Sequence, residues 1–126
     1  DVCDAGSAAT EHSAIDRVSL EARVEGDLEL LAELIELFLD TTPRLLGDIE
    51  NGILQSDPNV VRHSAHALKG AMLSIGATQA AHAALQLETI GLTGDMQLAD
   101  ESLEALLREF ARLQTELRLI AEECTI

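Results

Sequence analysis

Aromatic residues are almost missing from this chain: it has two Phe, no Trp and no Tyr in 126 residues. The interior must therefore be aliphatic, and Leu and Ala dominate it. Both favour helices, whereas the β-branched and aromatic residues that favour strands are sparse. An all-α protein is expected. Basic residues are also scarce, with 8 Lys and Arg against 23 Asp and Glu, for a net charge of -15. A surface that acidic repels phosphate backbones and anionic headgroups, so neither nucleic acid nor a membrane is an expected partner. No apolar run approaches the roughly 18 residues of a membrane span. Nor does a basic start followed by an apolar stretch mark a signal peptide, and a cytoplasmic location is expected. Asp rather than Met stands first, which suggests a processed chain or an excised domain. Cys3 and Cys124 are the only cysteines, near opposite ends, and two free thiols in a reducing compartment are expected rather than a bridge.

The apolar share, 47%, is ordinary for a folded chain, and the length fits one domain with a modest core. Residues 1–13 are small and polar and are expected to form a loose arm, with a helical bundle over 14–123. A short helix is expected over Ile15–Leu20, broken at Gly26 and followed by Asp27 as an N-cap. Leu28, Leu31, Ile35 and Phe38 then repeat at helical spacing, widened by Leu30, Leu34 and Leu37, which predicts a deeply packed helix over about 28–40. Thr42-Pro43 is expected to stop that helix and start another, about 43–55, presenting Leu46, Ile49 and Ile53. Ser56-Asp57-Pro58 repeats the punctuation. Further helices are predicted over about 58–75, ending at Gly76, over about 78–90, and over about 99–122. The last carries Leu103, Leu106, Phe110, Leu113, Leu117 and Ile120. Short connections make consecutive helices antiparallel neighbours, which predicts an up-down four-helix bundle with one or two additional short helices at the N-terminal end.

One lysine is present, Lys69, and it follows His66 by three positions. On the helix over 58–75, Val61, Ala65, Leu68, Met72 and Ile75 form an apolar stripe. At about 100° per residue, His66 falls roughly 140° from its centre and faces outward. His63 and Gly70 share that outward face, and Lys69 sits on its flank. Glycine in mid-helix costs about 1 kcal/mol relative to alanine; here it removes a side chain one turn beyond His66 and leaves room for something bulky. An imidazole is a competent nucleophile near neutral pH. A phosphoryl group in transfer spreads negative charge over its oxygens, which a nearby ammonium stabilises. Phosphate chemistry at His66 is the expectation.

His66-Ala67-Leu68-Lys69-Gly70, preceded by Ala65 and followed by Ile75-Gly76-Ala77, resembles the signature of histidine-containing phosphotransfer (HPt) domains. Leu87-Glu88 on the next helix, Phe38 and Pro43 fit the same pattern, and the resemblance spans about residues 15–120. It implies a four-helix-bundle phosphocarrier of a two-component phosphorelay, with His66 taking a phosphoryl group from a receiver-domain aspartate and passing it to another receiver. The receiver would supply Mg²⁺ and most catalytic groups, so the chain itself would hold no cofactor and have no kinase activity. Lys69 would stabilise the phosphate and Gly70 would give clearance. On the residues themselves, His63 is a polar surface residue expected at the rim of the docking site, and Arg62 is expected to add positive potential near His66. Response-regulator receivers are the implied partners, with a hybrid sensor histidine kinase in cis as a further one, and a monomer is expected. Met72 departs from the small residues many members carry there, which should affect packing more than transfer.

Other readings are weaker on the residues alone. His63, His66 and His82 lack a fourth metal ligand, so no metal site is expected. The acidic residues, such as Glu33, Glu36 and Asp40, read as solvated faces. No catalytic triad or phosphate-cradling glycine loop is present. A helical adaptor without phosphotransfer, and the histidine-bearing domain of a chemotaxis-type kinase, are the alternatives.

Overall fold

Aspartate side chains open three of the helices. In the computed structural model, which describes residues 15–124, Asp16, Asp27 and Asp57 accept hydrogen bonds from the backbone N–H groups of Ser19, Leu30 and Val60. Each satisfies a donor that the first helical turn leaves without a partner. The helices are α1 (Arg17–Arg23), α2 (Leu28–Leu54), α3 (Pro58–Ser74), α4 (Thr78–Thr93) and α5 (Ala99–Cys124). No strand occurs among the described residues, in keeping with the aliphatic composition. The expected arm, 1–13, and Cys3 lie outside the described residues.

The expected break at Thr42-Pro43 does not occur. α2 runs for 27 residues with Pro43 inside it, roughly 40 Å at 1.5 Å per residue. An interior proline costs about 3 kcal/mol. Against that stands the burial of Leu46 and Ile49 in phase with Leu31, Ile35 and Phe38, worth about 1.5–3 kcal/mol for each side chain. Packing therefore outweighs the penalty. Thr42 is no cap; it is buried, and its hydroxyl donates to the Phe38 carbonyl at 2.7 Å. The ring of Phe38 lies 6.4 Å from that of Phe110 on α5, so the two aromatics of the chain meet in the core. Leu30 and Leu37 do not widen the packed face as expected; they are exposed, and so is Leu28.

α3 packs against both α2 and α4, and α5 packs against α2 and α4 in turn. The predicted stripe Val61, Ala65, Leu68, Met72 and Ile75 is fully buried. The α3–α4 turn is made by Gly76, whose φ of +80° suits glycine, and its carbonyl accepts from the Asp16 N–H at 2.9 Å. That bond docks the segment leading into α1, which covers one end of the core with Ile15, Leu20 and Val24. Arg17 ties α1 to Glu123 at the end of α5.

α3 and α4 approach each other closely at Gly91. It lies inside α4 rather than past its end, and the helix stops at Gly94 in a left-handed conformation. A Cβ built on Gly91 would stand 2.6 Å from both the Arg62 nitrogen and the Pro58 carbonyl oxygen. Only glycine lets the two backbones come so near.

Candidate functional site

The approach at Gly91 sets one turn of α4 against one turn of α3. Three residues before Gly91 stands Glu88, and four after Arg62 stands His66. Glu88 is thereby aimed at the outer edge of α3, where it meets both predicted residues at once. Its Oε2 lies 2.8 Å from His66 Nδ1, and its Oε1 lies 2.8 Å from Lys69 Nζ. The lysine and glutamate side chains are largely shielded, whereas the His66 side chain is 67% exposed. The imidazole thus rests one nitrogen on a sheltered carboxylate and presents the rest of its ring to solvent.

A carboxylate can only accept, so Nδ1 carries the proton and donates it to Glu88. Nε2 is left with its lone pair, on the exposed side of the ring. Glu88 Oε1 is buried and has no aligned hydrogen-bond donor among the described residues; its contact with Lys69 is an ion pair. The Lys69 ammonium holds the Glu88 carboxyl below its ordinary range. Partial desolvation opposes that shift, and the hydrogen bond from His66 reinforces it.

α3 differs in charge from the rest of the chain. It carries Arg62, Lys69, His63 and His66 and no carboxylate, and α4 contributes only Glu88. In a molecule of charge -15, this is the surface that an anionic group meets with least repulsion.

Gly70 is exposed, and a Cβ added there would meet nothing within 4 Å. No internal contact demands a glycine, so the space it leaves lies wholly outside the molecule, one turn from His66. Arg62 and His63 do not join the His66–Lys69–Glu88 group. The Arg62 guanidinium donates to His63 Nε2 at 3.3 Å, an arrangement that requires neutral imidazole at that nitrogen. His82 faces a separate pocket between α4 and α5. Among the described residues, no three His, Cys, Asp or Glu side chains are grouped so as to hold a metal ion. Cys124 is a free thiol.

The residue that the sequence left without a role is Glu88. Leu87 beside it is fully buried, and a residue one step further round α4 toward α3 must lie at the seam between the helices. That phase was readable; the partner across the seam was not.

The Hpt domain family model matches residues 33–116. Among solved structures, the chain resembles the crystal structure of histidine-containing phosphotransfer protein B (HptB) from Pseudomonas aeruginosa PAO1, with a TM-score of 0.84 at 23% identity. That match covers 89% of this chain and 97% of the other, and it shows a shared fold. No curated protein matches the chain.

Proposed function

The chain belongs to the Hpt domain family, whose role is histidine phosphotransfer in phosphorelays, and we propose that His66 is the residue through which this member acts. The observation that carries the reading is the pair of contacts on Glu88. The carboxylate fixes the Nδ1–H form of the imidazole, directs Nε2 outward and draws in the only lysine of the chain.

In the proposed step, Nε2 of His66 attacks the phosphorus of a receiver phospho-aspartate. The N–P bond forms as the acyl P–O bond breaks, and the aspartate leaves as a carboxylate. Positive charge develops on the imidazole and is stabilised by Glu88 through Nδ1–H. Lys69 is a flexible point charge one turn along α3, able to turn from Glu88 toward the incoming phosphoryl oxygens. Gly70 gives the receiver room to bring its aspartate close, and Arg62 and His63 border the approach. Transfer onward reverses the step with a second receiver as acceptor. Mg²⁺ belongs to the receiver in this scheme, and the chain acts as a carrier without kinase activity of its own. The packing of α2, α3, α4 and α5 each against two neighbours, with short connections, supports the up-down antiparallel bundle, which holds α3 and α4 rigid beneath the site.

The test is incubation of the purified chain with a panel of phosphorylated receivers, with His66→Gln as control. Acid-labile, alkali-stable label on the native chain alone is the expected result. Label that persists in His66→Gln would remove His66 from the mechanism. Failure of every receiver from the same genome would favour an adaptor without phosphotransfer.

A further inference from the structure

Carboxylates are segregated in this molecule. α2 and α5 carry six and seven Asp and Glu residues, whereas α3 and α4 together carry one. Between α2 and α5, on the side that neither α3 nor α4 lines, runs an open groove of about 600 Å³. Its floor is apolar: Ile35 lies at the bottom, fully buried, flanked by Ala32, Leu39 and Ala121. Its rim is acidic, with Glu29, Glu33 and Glu36 along α2 and Glu122 on α5, against one cation, Arg118. Glu29, Glu33 and Glu36 have no ion pair among the described residues.

We infer that this groove docks a basic amphipathic helix of a partner protein, on a face separate from His66. Three features select that occupant. The α2 side of the groove spans Glu29 to Leu39, roughly three helical turns, so a helix laid along it can seat apolar side chains at i, i+3/i+4 and i+7 on the partly exposed Ala32, Leu39 and Ala121 that cover Ile35. The rim carboxylates match Lys or Arg flanking that apolar edge and repel an acidic helix. Divalent metal is not favoured, because the carboxylates are strung along the groove and form no metal-holding cluster. None of the groove residues belongs to α3 or α4, so an occupant here leaves the imidazole accessible. The site would hold the carrier to a scaffold while His66 exchanges phosphate. The proposal does not depend on His66 being the phosphorylated residue.

The experiment is fluorescence anisotropy with a labelled synthetic peptide, a 14-residue Leu/Lys helix with leucines at i, i+4 and i+7. A peptide of equal charge with those leucines replaced by serine serves as control, and ¹⁵N chemical-shift mapping locates both. Binding of the leucine peptide, with shifts confined to α2 and α5, is expected. The double variant Glu33→Gln/Glu36→Gln should weaken it roughly 5- to 10-fold, while Glu101→Gln/Glu104→Gln, an equal charge change off the groove, should leave it within about 2-fold. All four positions are surface carboxylates, and circular dichroism verifies that the variants fold. Equal affinity for the serine peptide, equal weakening by the two double variants, or shifts on α3 and α4 would each overturn the proposal, since they would show unspecific attraction to an acidic protein or a different site.

Discussion

Glycine-to-alanine substitution should have opposite signs at two positions of this helix pair. At Gly91 a Cβ would stand 2.6 Å from the Arg62 nitrogen and from the Pro58 carbonyl oxygen, and 2.8 Å from the Arg62 Cα. All three are backbone atoms, so no rotamer change relieves the overlap and α3 must move away from α4. Against rigid backbone on every side, forcing a methyl group into such a contact falls in the upper part of the usual overpacking cost, about 2–3 kcal/mol, partly offset by the ~1 kcal/mol that alanine gains over glycine in a helix. A net loss of about 1–2 kcal/mol corresponds to a Tm lower by roughly 3–10 °C for a chain of this size. At Gly70 nothing lies within 4 Å, so the propensity gain stands alone and Tm should rise by a few degrees. Function should divide differently. Gly91→Ala opens the seam that sets Glu88 against His66 and Lys69, so phosphotransfer slows together with stability. Gly70→Ala should stabilise the chain yet place a methyl group where the proposed step brings the receiver, so transfer should slow although Tm increases. Thermal unfolding by circular dichroism and single-turnover transfer from a phospho-receiver measure both. A Gly91→Ala variant as stable as the native chain would refute the close approach as a constraint. A Gly70→Ala variant that is more stable and transfers at the native rate would refute clearance as the role of that glycine.

Three other outcomes follow from the same geometry. Glu88→Gln keeps the shape and loses the charge; it should lower the transfer rate about 10-fold or more and let the Nε2–H tautomer of His66 appear by ¹⁵N NMR, whereas an unchanged tautomer would show that Glu88 does not orient the ring. Lys69→Ala should slow transfer without unfolding the bundle, because Lys69 lies on the flank and not in the core; native rates would reduce it to a structural partner of Glu88. The folded-state pKa of Glu88 is depressed, so its stabilising contribution is complete above the ordinary carboxylate range and disappears as pH falls through the lowered value. The stability difference between native chain and Glu88→Gln should accordingly be constant from neutral pH to about 5 and narrow below about 4.5; a gap that persists in acid would contradict the ion pair as its origin.

Much of this structure could be read from the order of residues alone. The stripe from Val61 to Ile75 fixed the outward aim of His66, because helix phase is a local property that the core then respects. The caps at Asp27 and in Ser56-Asp57-Pro58 were legible for the same reason, whereas Asp16, expected inside the first short helix, caps it instead. Pro43 misled, because its local signal is a break while the decisive quantity is distributed. Leu31, Ile35, Phe38, Thr42, Leu46 and Ile49 stay in one phase straight through it, and all are buried. Thr42 looked like a cap and became a buried hydroxyl bonded to the preceding turn. Glu88 had a place in the recognised pattern and no role, since its meaning lies in a contact 22 residues away. Gly91 lies just past the helix predicted over 78–90 and instead sits within α4, because the demand on it comes from the backbone of α3.

The bond between Asp16 and Gly76 has a mechanical consequence. Gly76 is part of the recognised signature, yet its carbonyl holds the N-terminal segment, and a Cβ there would press on the Asp16 carbonyl at 3.1 Å. Tension on the chain ahead of Asp16 would therefore load the hinge between α3 and α4 directly and bypass the long α2. The clasp bears on the turn at the far end of α3 from Gly91, so a pull taken up there would reach the α3–α4 turn first, while the approach that sets Glu88 against His66 and Lys69 is anchored at the opposite end.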